Sequence, residues 1–150
     1  MLSELTQSEI EEVLSDNYIG RIGCRDGDKI YIVPVNYIFE YGRVLCHSYD
    51  GQKVAMMRQN PDVCFEVEEI RSFNNWKTVV GWGIFEELTD AKDIEHAKSQ
   101  LSDLMLAQKA SLSSVPPAEE IPKHPEHPAT NMVYYHIRFN ELSGRHEREI

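Results

Sequence analysis

Val33-Pro34-Val35-Asn36-Tyr37-Ile38-Phe39, followed shortly by Leu45-Cys46-His47-Ser48-Tyr49-Asp50-Gly51-Gln52-Lys53, is the most informative stretch of the chain. Its first half is rich in β-branched and aromatic residues, which suit a pleated, half-buried strand. Pro34 has no amide hydrogen to give a ladder, so the strand is expected to lie at an edge or to bulge there. Tyr41-Gly42 supplies a turn. The second half starts as another strand, ends in His-Ser, turns at Gly51 and brings Lys53 to the start of a helix-permissive segment.

That second half has the chemistry of an anion site. A helix N-terminus presents unpaired backbone N–H groups and a partial positive charge. Ser48 can donate a hydroxyl, Gln52 an amide and Lys53 a full charge, and His47 can donate from its ring. A strand-end His-Ser followed by a turn and a surface lysine is also a common structural arrangement, so this window alone leaves the site open.

Outward from this window the pattern is mostly strands joined by turns. Upstream, Thr6-Gln7-Ser8-Glu9 fits a capping box, and Ile10, Val13 and Leu14 share one face of a helix expected from Gln7 to Ser15. A strand at Tyr18–Arg25 and a hairpin turn at Asp26-Gly27-Asp28 lead into the strand at Lys29–Glu40. Arg43–Ser48 is the third strand. Downstream, a helix within Gly51–Asn60 stops at Asn60-Pro61. Val63–Glu69 alternates as a strand, Arg71–Asn75 reads as a loop, and Trp76–Leu88 is a long strand. Gly81 and Gly83 within it suggest a bend or a close backbone approach. Thr89-Asp90 opens the longest helix, with Ile94, Ala97, Leu101, Leu104 and Met105 at helical spacing. Residues 111–130 form a polar connector with five prolines, Met132–Phe139 a last strand, and 144–150 a charged tail. The expectation is a single domain over 1–150. Its class is mainly β (α+β), an antiparallel sheet closing on itself with flanking helices.

Composition narrows the function. The chain has 150 residues, 41% of them hydrophobic, and a formal net charge of −10. A surface that negative disfavours nucleic acid and anionic membranes, while leaving room for one phosphate in a local basic pocket. Cys24, Cys46 and Cys64 are odd in number and lack C-x-x-C spacing, so they read as small buried hydrophobes in a reducing compartment. The sequence shows no secretory leader pattern and no membrane-length apolar run, which points to the cytoplasm. There is no G-x-G-x-x-G, Walker loop or G-x-S-x-G elbow. His124-Pro125-Glu126-His127 lacks a cysteine partner at ligand spacing, so no metal is expected. Trp76 and Trp82 are an even number apart and should share a strand face, for core packing, a contact between subunits or stacking on a flat ligand.

The ordered series of motifs resembles a known family. Gly20-Arg21-Ile22-Gly23 comes first, then Val33–Phe39, Cys46-His47-Ser48 and Gly51-Gln52-Lys53-Val54. Asn60-Pro61-Asp62-Val63-Cys64-Phe65-Glu66-Val67 and Trp76-Lys77-Thr78-Val79-Val80-Gly81-Trp82-Gly83, with Glu87-Leu88, complete it. This series is similar to the pyridoxamine 5′-phosphate oxidase-like FMN-binding superfamily, and within it to the 5-nitroimidazole resistance (nitroimidazole reductase-like) group. The resemblance implies a Greek-key split β-barrel of the FMN-binding type, working as a homodimer with a flavin in each cleft between subunits. The implied cofactor is FMN, with FAD as the alternative. His47, Ser48, Gln52 and Lys53 would hold its phosphate. Val33, Pro34, Val35 and Asn36 would line the isoalloxazine, and Trp76 and Thr78 would reach it from the other subunit. The implied activity is a flavin-dependent oxidoreductase reducing a small flat acceptor such as a nitroaromatic or quinone. A flavin-sequestering module, or a haem or F420 binder on the same barrel, are the alternatives. The vitamin-B6 oxidases of the superfamily carry an arginine-rich substrate site and an Arg-x-x-Pro-type ending. This chain ends Ser143-Gly144-Arg145-His146-Glu147-Arg148-Glu149-Ile150 instead, so pyridoxamine phosphate oxidation is not among the implied activities.

Overall fold

A computed structural model describes residues 2–110 and 132–149. The connector at 111–130, with its histidines 124 and 127, lies outside the described residues. Seven strands and three helices follow in the order β1 (Leu2–Glu4), α1 (Gln7–Asp16), β2 (Ile19–Asp26), β3 (Lys29–Glu40), β4 (Arg43–Tyr49), α2 (Gln52–Gln59), β5 (Asp62–Ser72), β6 (Asn75–Glu87), α3 (Ala91–Ala110) and β7 (Met132–Glu147).

All the pairings are antiparallel. The sheet runs β1-β7-β4-β3-β2-β5-β6, and a β6–β7 ladder closes it into a barrel. β2, β3 and β4 are consecutive neighbours, and β5 returns to lie beside β2. That is the Greek-key arrangement. The β2–β5 seam is short, covering only Arg21↔Glu66 to Gly23↔Cys64. It splits the barrel between a β2–β3–β4 part and a β5–β6 part. The structure is therefore the mainly antiparallel split barrel that the sequence implies.

Local chemistry explains the elements. Thr6 Oγ1 accepts from the Glu9 amide at 3.2 Å and the Glu9 carboxylate accepts from the Thr6 amide at 3.1 Å, completing the capping box of α1. Ile10, Val13 and Leu14 face the barrel interior. The Tyr37 hydroxyl donates to the Leu14 carbonyl at 2.8 Å and fastens α1 to β3. Inside lie Val35, Tyr37, Val44, Cys46, Phe65, Val67, Val79, Tyr135 and Ile137. Ala97 and Leu101 of α3 pack against Leu45 in a second, smaller cluster. Pro34 pairs with Arg21 of β2, whereas β4 joins β3 only from Tyr37 to Glu40. The proline thus sits where one side of its strand lacks a β4 neighbour, as its missing amide hydrogen requires.

Three boundaries differ from the sequence reading. Gly144 to Glu147 are not tail but the end of β7, held between β1 and β6. The Leu5 amide donates to the Gly144 carbonyl at 2.9 Å. Polar and charged side chains mask the strand, because Arg145 is exposed and His146 and Glu147 are half-buried without an apolar alternation to mark it. Arg71 and Ser72 continue β5, leaving Phe73-Asn74 as the turn. β1 is three residues long, too short for any periodicity to reveal. Trp76 and Trp82 do share a face, opposite the buried Val79 and Phe85, and Trp82 is 45% exposed. The three cysteines are free, two buried and Cys64 half-buried.

Candidate functional site

β3, the end of β4 and the start of α2 converge on a cavity of about 380 Å³. Pro34, Val35 and Asn36 line it from β3, and His47, Ser48 and Tyr49 from β4. Gly51, Gln52 and Lys53 line it from the turn and the first residues of α2. The structure thus gathers seven of the ten residues singled out from sequence. Val33 is on the same strand but does not line the cavity. Trp76 and Thr78 lie on β6, across from Glu147 and Arg145 of β7, and do not line it either.

The electrostatics favour an anion. α2 begins after Gly51, which offers no side-chain cap, so nothing from its own N-cap satisfies the first-turn amides. Lys53 is half-buried, and desolvation lowers its pKa; neighbouring Cys46 and Cys24 act weakly the other way. Among the described residues no carboxylate pairs with it. Burial, and then the charge of Lys53, lower the pKa of His47. A cation kept partly out of water without a counter-ion is stabilised by whatever anion fills the space. Phosphate-sized anions suit this set, since hydroxyl, amide, ammonium and free backbone donors meet at one end of the cavity.

The barrel positions Ser48 and His47. The Ser48 and Tyr135 hydroxyls are 2.8 Å apart and both buried. Burial holds the Tyr135 phenol well above its usual pKa, so it remains protonated. His47 faces Tyr134 across the β4–β7 ladder, with ring centroids 6.0 Å apart. Cys46, behind them, is fully buried, and burial pushes its thiol up to about 12. It is inert packing, as expected from sequence.

Sequence reasoning missed Tyr31, Met132 and Tyr135. Tyr31 is four residues before Val35 on one strand, so period-2 alternation places both on one face. Met132 and Tyr135 come through the β4–β7 register, Tyr49↔Met132 and Cys46↔Tyr135, which no local pattern encodes. Among the described residues there is no cluster able to hold a metal ion, and no helix is long and apolar enough to cross a membrane.

Known proteins share this architecture. A curated Rhizobium meliloti protein of uncharacterised function is 28% identical over 146 residues, covering 94% of this chain and 92% of its own. The crystal structure of a FAD-binding protein from Mesorhizobium loti is 29% identical, covers 99% of both chains and superposes with a TM-score of 0.75. A Bacteroides thetaiotaomicron structure, proposed as a 5-nitroimidazole antibiotic resistance protein, shares the fold at 16% identity and a TM-score of 0.68, over 97% of this chain and 87% of its own. The sequence profile of the family described as pyridoxamine 5′-phosphate oxidase matches residues 6–146. With nearly the whole chain matched, this protein belongs to that family.

Proposed function

We propose that the protein binds a flavin through this cavity and serves as a flavin-dependent oxidoreductase for a small flat acceptor. The observation that carries the reading is Lys53, half-buried at an uncapped helix start and facing a cavity without a carboxylate partner. The flavin phosphate would take the donors of Ser48, Gln52 and Lys53, with His47 beside them. The isoalloxazine would lie along Val33 to Asn36. The relative described as FAD-binding supports the flavin class.

A second copy of the chain completes the site in this reading. Trp76 and Thr78 do not line the cavity of their own chain, so they would act on a partner's flavin. An apolar groove of about 610 Å³, lined in part by Ile30, Ile32, Cys64 and Trp82, is the surface we assign to the homodimer contact. Ile30 and Ile32 are 70% and 66% exposed in the single chain, unusual for residues of this type on an ordinary strand face. Free cysteines suit a reducing compartment, and the cytoplasm is the setting we propose.

Bound flavin supplies the redox chemistry. Ser48, Gln52 and Lys53 would hold its phosphate, and Pro34, Val35 and Asn36 would orient its ring. Nitroaromatics and quinones are the acceptor class proposed. His47 is the one cavity side chain with an ordinary pKa near neutrality, and burial, followed by the charge of Lys53, lowers it. The lowered basicity of His47 favours a second reading, a flavin-sequestering module without turnover. Absorbance of the purified protein, followed by NAD(P)H consumption with menadione or a nitroimidazole, separates the two. Flavin absorbance with turnover supports the enzyme, and absorbance without turnover supports the module. A colourless protein that never takes up FMN or FAD sinks both.

A further inference from the structure

Helix α3 packs along the outer face of β3 and β4. Ala97 and Leu101 cover Leu45, and Ile38 packs against this cluster. Asn36 is two residues from Ile38 on β3 and so shares its face. Helical spacing brings Leu104, Met105 and Gln108 round to the same side, one to two turns beyond Leu101. There a cavity of about 150 Å³ opens between helix and strand, lined by Tyr18, Asn36, Leu104, Met105 and Gln108. The Tyr37 amide donates to the Tyr18 carbonyl at 3.0 Å and fixes Tyr18 at the edge of this space. Where an aliphatic residue like Ile38 would continue the packing, the polar Asn36 leaves room.

Asn36 lines this cavity and the candidate flavin cavity alike, so the two spaces are continuous around one side chain. Asn36 is half-buried, and among the described residues its amide makes no hydrogen bond. That amide can donate to a quinone or nitro oxygen. Beyond it the lining is almost entirely apolar and carries no charged side chain. An apolar cavity of about 150 Å³ is the right size for one benzene ring. The Met105 thioether and the Tyr18 ring suit a flat aromatic occupant. An ionised group would enter without a counter-charge, which is strongly unfavourable.

We propose that this cavity holds one ring of a neutral, fused two-ring aromatic acceptor, whose other ring carries the reducible oxygen past Asn36 toward the flavin. Tyr18, Leu104 and Met105 then determine specificity, and naphthoquinones are preferred to one-ring quinones. The inference rests on the flavin reading above and adds to it which acceptors the site selects.

The test uses the full-length protein, loaded with flavin and checked for loading by fluorescence titration. Calorimetric titration with 2-naphthol and with phenol, neither of which is reduced, reads the ring preference directly. The naphthol should bind at least tenfold more tightly than phenol. Met105→Asp should cut that ratio at least fivefold, and Met105→Leu should keep it. Leu106→Asp places the same charge one residue away, at an exposed position outside the cavity, and should leave the ratio within twofold. With NAD(P)H as electron donor, Met105→Asp should raise the KM for menadione at least fivefold and change kcat less. Equal binding of the two probes, as when the chain itself or a second copy fills the space, overturns the inference and leaves the flavin reading standing. So does a ratio that Met105→Asp leaves intact, or one that Leu106→Asp lowers as much. Naphthol binding without menadione turnover overturns the acceptor assignment. If no flavin binds, the flavin reading fails and the acceptor site falls with it.

Discussion

The Ser48 hydroxyl meets the Tyr135 hydroxyl at 2.8 Å, at the boundary between the barrel core and the candidate flavin cavity. Tyr135 is fully buried and Ser48 nearly so. When the phenol donates, the serine keeps its own proton free for an anion in the cavity. Tyr135→Phe should therefore weaken flavin binding by threefold to tenfold, equivalent to about 0.7–1.4 kcal/mol and within the range of one hydrogen bond. Titration of the apoprotein with FAD checks this; unchanged affinity would mean that Ser48 needs no orientation.

Removing the donors themselves should cost more. Lys53→Ala combined with Ser48→Ala is expected to lower flavin affinity at least tenfold, about 1.4 kcal/mol or more. Because Lys53 is held partly desolvated, its loss should leave folding stability unchanged or slightly raised. A urea melt beside the binding assay separates the two effects. Retention of full affinity in the double variant places the phosphate elsewhere.

Association is tested on the apolar face. Ile32→Glu with Trp82→Glu should convert a dimer to a monomer in light scattering, since both side chains are exposed in the single chain and a buried charge there is strongly disfavoured. Flavin affinity should fall with dimerisation, because Trp76 and Thr78 would be withdrawn. An unaltered protein that is monomeric at high concentration refutes the shared site.

The barrel closure depends on Gly83. A Cβ there would sit 2.4 Å from the Arg138 carbonyl oxygen, beside the register shift at which β7 carries one residue more than β6. The opposing atom is backbone and cannot rotate away. Gly83→Ala should destabilise the protein by about 1–3 kcal/mol, visible as a lower thermal midpoint. A variant as stable as the parent would show that the closure yields easily.

Acidification should weaken the fold through His136. The ring is 8% exposed, and burial followed by Arg43 lowers its pKa, against the opposite pull of Glu40, Glu86 and Asp93. The unfolded chain therefore takes up a proton near the ordinary histidine value of 6.5 while the folded chain does not. This contribution is fully present above that pH and is lost as pH falls below it, with a slope of at most about 1.4 kcal/mol per pH unit for one group. Urea midpoints at pH 7.5 and 5.5 should differ less in His136→Gln than in the parent. Parallel pH dependence in both proteins would assign the effect to other groups.

Much of this was legible beforehand, for identifiable reasons. The capping box at Thr6–Glu9, the turns at Gly27 and Gly42, the β-branched and aromatic run of β3 and the alternation in β5 are local signals, and the structure follows them. The anion-site residues were legible because they are nearly contiguous, 47 to 53, and a strand–turn–helix passage aims them together. The residues that support them come from far along the chain. Tyr135 and Met132 meet β4 through a register set by barrel closure. The polar run Arg145 to Glu147 concealed a strand that pairs with both β1 and β6.

Leu2 is the register partner of Glu147, so the described chain starts and finishes at neighbouring points on one edge of the sheet. Such proximity makes the molecule a candidate for circular permutation. A short linker could join Glu149 to Leu2, and the chain could be opened at the exposed Tyr41-Gly42 turn, away from the cavity-lining residues of β3 and β4.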